Sequence, residues 1–232
     1  MKKSTIATKK LMVAGVALSA VLGLGACSSG DATASDSSSS SSSSSADYGR
    51  PEPVASLPAI PAGGSTAVAL DADFVGALGT LGLTPGTVGD ATLADGSVSF
   101  PITGGTVTLF DKASGYRPYV QGTLLHQNSG LSFTAGGTTV EITNFTVDPG
   151  TPARLFGDVA VNGTQAVASA PLFDLDGSTL NPPAMEDGNA VLQGTEVKLS
   201  PEAAALLNET FGTDALAGGL LIGIATITVP TS

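Results

Sequence analysis

Short runs of alternating apolar and polar positions, separated by glycine-rich turns, repeat along most of the chain after residue 96. Runs of this kind lie at 97–102, 106–110, 120–126, 131–134, 138–147, 155–161, 165–173, 191–199 and 220–229. Period-two alternation over four to ten residues predicts half-buried strands. Within 138–147, Val140, Ile142 and Phe145 share the pattern only if one residue near Asn144 is extra, which predicts a β-bulge. Gly-Gly, Asn-Gly, Asp-Pro-Gly and Asp-Gly stand between the runs as turn formers. Two stretches switch to helical spacing. Asp71 is placed to cap a helix with Phe74, Leu78 and Leu81 on one face, ending at Gly82 or Pro85. Ser200 and Pro201 open a second, with Leu206, Leu207 and Phe211 inward and Gly212 as the stop. The pattern predicts an all-β fold, a sandwich or barrel-like antiparallel domain with two short helices.

The first 96 residues read differently. Lys2, Lys3, Lys9 and Lys10 precede an uncharged, mostly apolar run at 11–25, and Gly25 and Ala26 precede Cys27. That order is a secretory signal, assigned to 1–26. The apolar run spans about 22 Å as a helix, short of the ~30 Å hydrocarbon core, so a transmembrane anchor is disfavoured. The run Leu24-Gly25-Ala26-Cys27 resembles the lipobox of bacterial lipoproteins. The resemblance implies attachment of a diacylglyceryl group, with palmitate-type chains, to the Cys27 thiol, cleavage just before Cys27, and residence on the extracytoplasmic face of the cell membrane. Two or more chains at about 0.8 kcal/mol per buried CH₂ make a stable anchor. Cys27 is the single cysteine, so no disulfide forms within the chain.

Residues 27–64 are then a tether. Serine is unbroken from Ser37 to Ser45, prolines follow at 51, 53, 58 and 61, and little is available to bury. Such a segment is expected to be disordered, with a reach of about 35 Å as flexible coil. The single domain is expected over 65–232. Four of the nine Lys and Arg lie in the signal, leaving five against twenty Asp and Glu, a formal charge of −15. A surface of that sign is repelled by phosphate backbones, which excludes a nucleic-acid partner.

Candidate chemistry is sparse. Nucleophilic catalysis requires a base beside its nucleophile, and the chain offers one histidine, His126, and no Gly-x-Ser-x-Gly elbow. There is no tryptophan and there are three tyrosines, Tyr48, Tyr116 and Tyr119, too few for the aromatic platforms of a sugar cleft. The expectation is a non-enzymatic module. Asp174 and Asp176 stand two apart before Gly177, as at the opening of a calcium loop, although the remaining ligands of an EF-hand are missing; a plain aspartate turn is the alternative.

The succession Val98–Gly105, Val120–His126, Ser129–Leu131, 140–147 and 155–161, closed by a helix of the type Leu199-Ser-Pro-Glu-Ala-Ala204, resembles the β-rich surface domains of actinobacteria that include the HtaA-type haem-binding modules. The resemblance spans about 130 residues, without the tryptophan-containing start of those modules. It implies a β-sandwich-like fold and haem bound through a tyrosine supported by a histidine, for which Tyr116, Tyr119 and His126 are the residues present. The leading expectation is a membrane-anchored lipoprotein presenting a domain that binds an unidentified protein or small molecule, with no resident cofactor. The alternative is surface binding of haem or another small apolar ligand. A lipid carrier is a third reading, and it requires an internal cavity.

Overall fold

The computed structural model describes residues 49–61 and 63–230. The signal segment, Cys27 and the serine run lie outside the described residues. The alternating runs do form strands, and all of them join one antiparallel sheet that curls into a half-barrel. In chain order the strands are β1 (Ala55–Leu57), β2 (Ser65–Leu70), β3 (Thr84–Gly89), β4 (Thr92–Ala94), β5 (Ser97–Pro101), β6 (Gly104–Leu109) and β7 (Val120–Ala135), then β8 (Thr138–Asp148), β9 (Arg154–Val161), β10 (Thr164–Asp176), β11 (Ala184–Glu186), β12 (Asn189–Leu199) and β13 (Leu221–Pro230). Helix α1 (Ala72–Thr80) follows β2, and α2 (Pro201–Phe211) follows β12.

Strand order is β1-β6-β7-β8-β9-β10-β12-β13-β2-β5-β4, with β3 on the second half of β7 and β11 on the start of β12. The two flanks of the curl meet at one corner. β5 pairs with β2, and two residues later the same chain, now β6, pairs with β7. The corner residues join both sides: Ile102 N–H donates to Gly64 O at 2.8 Å and Thr103 N–H to Leu125 O at 2.8 Å.

The sheet begins before residue 65. Val54 N–H donates to Leu109 O at 2.7 Å, β1 pairs with β6, and Ile60 is buried against Ile102, Leu124 and Val229. Leu57 and Ile60 supply apolar surface, and the prolines around them flank the edge strand β1, where a missing N–H breaks no ladder.

Both helices form where local signals place them. Asp71 Oδ1 accepts from Asp73 N at 2.9 Å and Phe74 N at 3.3 Å, with Phe74 and Leu78 buried. Ser200 Oγ accepts from Ala203 N at 2.9 Å and donates to Pro171 O at 2.7 Å, tying the α2 N-terminus to β10. In α2 the fully buried positions are Ala203 and Ala204, while Leu206, Leu207 and Phe211 are half-buried against the same core. The main core fills the concave side of the sheet beneath these helices, with Val140 and Val159 wholly excluded from solvent.

A crease crosses four strands. Residues 127–129 of β7 bulge against Asn144 of β8, and the register slips again at Asp158 of β9 and residues 168–169 of β10. Asn128, Asn144 and Ser169 take left-handed backbone with φ of 57°, 56° and 50°. Their polar groups run in a chain. Asn128 Nδ2 donates to Asp90 Oδ2, and Asn128 N–H donates to Asn144 Oδ1; Asn144 Nδ2 donates to Asp158 Oδ2, and Ser169 N–H donates to Asp158 Oδ1, each at 3.0 Å. Glycine clears the inner side of the crease: a Cβ on Gly157 would lie 2.7 Å from Leu172 and 2.9 Å from Phe145. Bulges deepen local twist, and a row of them bends the sheet.

Candidate functional site

The curl encloses a cavity of about 370 Å³. Val68, Val98, Phe100, Phe145, Val197 and Ile222 form much of its inner wall, and all six are buried. Its exposed lining residues are Arg117, Thr151, Pro152 and Ser178, so it opens between the loop before β7, the loop after β8 and the turn after β10. A mostly apolar cavity of this size with a few polar groups has the make-up of a small-molecule site.

His126 lies on the inner wall and is 1% exposed. It is the last β7 residue in register before the bulge. Nδ1 stands 3.0 Å from Pro101 O, and Nε2 stands 3.2 Å from Thr66 Oγ1. A carbonyl only accepts, so the ring proton is assigned to Nδ1, leaving Nε2 to accept from the Thr66 hydroxyl. Burial pushes the imidazole below its ordinary pKa, opposed in part by hydrogen bonds at Pro101 and Phe100. The ring is therefore neutral at neutral pH. Phe100 meets it edge-on at 6.2 Å and meets Phe145 at 5.2 Å.

Tyr119 lines the mouth, where its hydroxyl donates to Gly177 O at 3.1 Å. Lys112 Nζ stands 5.2 Å from its ring centroid and Arg117 Cζ 5.9 Å. Tyr116 does not line the cavity. It packs against Phe110 at 4.7 Å, with the Arg50 guanidinium 4.8 Å from the Phe110 ring centroid. The cavity thus brings together two of the three sequence candidates, Tyr119 and His126, each with its own hydrogen-bond partners.

Asp174 and Asp176 are held apart from one another by separate cations. Asp174 pairs with Arg154 at 3.0 Å, and Asp176 pairs with Lys198 at 3.2 Å while capping Ser178 through its N–H at 3.0 Å. The Ser178 hydroxyl, then its N–H, then Lys198 hold the Asp176 carboxyl below the usual carboxylate range. Among the described residues no group of three His, Cys, Asp or Glu side chains gathers as a metal would require. The aspartate turn is what the geometry contains.

Sequence reasoning missed Thr66, Arg117 and the mouth loops. The alternation of Thr66, Val68 and Leu70 was a strand signal for β2, while nothing local marks residues 149–153 as part of a site.

No family model matches the chain, and no curated protein matches it. Solved structures do. The C-terminal domain of HtaA from Corynebacterium glutamicum aligns over 75% of this chain and 97% of its own, at 15% identity and a TM-score of 0.50. The heme binding protein HtaB from the same organism aligns over 76% of this chain and 96% of its own, at 11% identity and a TM-score of 0.44. At 15% identity, what the chain shares with the HtaA domain is the fold.

Proposed function

We propose that the domain is a binding module that holds a small, largely apolar molecule in the cavity of its curled sheet. The observation that carries this reading is the cavity itself: about 370 Å³, walled by apolar side chains, open at one end, and furnished with a phenol at the mouth and a neutral imidazole inside. The Thr66 hydroxyl is spent on the His126 imidazole deep in the apolar wall, and the reading is of a binding role. This reading favours the surface ligand-binder over a domain that only contacts other proteins.

Haem is the first ligand to test. The sequence resemblance points to it, the HtaA domain shares the fold, and the donor set suits it. Tyr119 offers a phenol oxygen for iron, apolar walls suit a macrocycle, and Arg117 and Lys112 suit its propionates. Bound haem supplies an iron centre and an intense Soret absorption. His126 has both ring nitrogens engaged, and its part is to shape the inner wall.

The test is a titration of the full-length protein with haemin, read by absorbance, together with native mass spectrometry for any co-purified ligand. A one-to-one complex is expected, and Ala153→Phe, which narrows the mouth, is expected to weaken it at least about tenfold. A haemin complex that Tyr119→Phe leaves spectrally unchanged removes Tyr119 as the iron donor. Absence of haemin binding and of any apolar ligand removes the cavity reading altogether.

A further inference from the structure

The five basic side chains of residues 49–230 divide sharply. Arg154 pairs with Asp174 and Glu202, and Lys198 pairs with Asp176 and Glu196. Arg50, Lys112 and Arg117 have no carboxylate within ion-pair distance among the described residues, and all three lie on the Phe110–Tyr116–Tyr119 aromatic cluster beside the mouth. The neighbouring acids are turned to other partners. Asp111 Oδ1 accepts from Ala113 N at 2.8 Å, Asp148 Oδ1 accepts from Gly150 N at 2.9 Å, and Asp176 takes Ser178 and Lys198. In a domain with so large an acidic excess, the cations free of acids are the ones at the cavity entrance.

Arg117 is the member that lines the cavity. Its Nη1 donates to Tyr116 O at 2.9 Å and to Lys112 O at 3.3 Å, and its other guanidinium N–H groups have no acceptor among the described residues. A guanidinium held through one nitrogen presents its remaining donors in fixed geometry, which suits a carboxylate or phosphate.

We infer that the ligand is an anionic amphiphile, its acid group held by Arg117 and Lys112 at the mouth and its apolar body inside the sheet. This inference rests on the cavity reading above and narrows it. A neutral apolar molecule makes no use of the unpaired cations, and a small hydrophilic anion makes no use of the apolar interior. Long-chain acids and haemin share the required chemistry, and the experiment separates them.

The full-length protein is titrated with cis-parinaric acid, a fluorescent long-chain polyene acid, with its methyl ester, and with haemin. The chain lacks tryptophan, so protein emission in this range is low. The acid is expected to bind one-to-one and at least about tenfold more tightly than the ester, as one charge-assisted contact provides. The preference is expected to shrink at 0.5 M salt, because the mouth is exposed to screening. The double variant R117Q/K112Q, altered at two exposed positions and checked by circular dichroism, is expected to lose the preference for acid over ester. Equal binding of acid and ester by the native chain, or a preference that survives the double variant, overturns the inference and leaves the cavity reading standing. If haemin alone binds, a tenfold loss in the double variant supports the inference and an unchanged affinity overturns it. If no probe binds, the cavity reading fails and this inference with it.

Discussion

His126 sits where water does not reach, and its proton balance is set by that fact. Burial lowers its pKa, so the unfolded chain takes up a proton more readily than the folded one as pH falls through about 6.5. The stability tied to this residue is therefore complete above that pH and declines below it. The melting temperature is expected to fall between pH 7.5 and pH 5, and His126→Gln is expected to flatten that slope. Asp158 acts in a separate window. The Asn144 side chain, then the Ser169 N–H, hold its pKa below the ordinary value of 3.8, so its contribution is present above that pH and lost as pH falls through and below it. A pH profile resolves the two. A native chain whose melting temperature is flat from pH 7.5 to pH 5 contradicts the account of His126. At this scale the sequence marked His126 as notable, but its partner Thr66 lies sixty residues away, and no local signal announces that contact. Nor did spacing separate Tyr116 from Tyr119: three residues decide between packing on Phe110 and lining the cavity.

The helices were legible because their signals are local: a cap, a stripe and a stop. The strands were legible as a class, but their ends were not. Residues 120–126 and 131–134 read as two strands because Gln127-Asn128-Ser129-Gly130 has turn composition. They are one sixteen-residue strand, since Asn128 bulges and the partner strand answers through Asn144 Oδ1. The interruption foreseen near Asn144 is one station of a crease that also involves β9 and β10, and only pairing across strands reveals the row. The crease depends on space as well as polarity. Gly157→Ala sets a methyl against Leu172, Phe145 and Thr143 O, all within 3 Å, and is expected to cost about 1–3 kcal/mol in urea unfolding. Gly104→Ala, with open space around it and an ordinary φ, is the control and is expected to change stability by less than about 0.5 kcal/mol. Equal effects at both glycines would show that the crease carries no packing constraint.

Fold class emerged from alternation and turn composition, while the closing corner from β5 to β6 did not. One continuous stretch changes partners within two residues there, and nothing in composition distinguishes that from an ordinary hairpin. Anchoring is also a property of the whole molecule. We propose that acylated Cys27 holds the domain at a membrane, so Cys27→Ala is expected to move the protein from the membrane fraction to the soluble one without altering ligand affinity. Retention of that variant in membranes contradicts the proposal. The contact between Arg50 and Phe110 also locates the start of the described fold. Phe110 N–H donates to Tyr119 O at 2.7 Å, so Arg50 packs on a residue bonded to the Tyr119 that lines the cavity mouth. The chain thus enters the described fold beside the aromatic residues that frame its opening, so one cluster serves both the start of the domain and the entrance of its cavity.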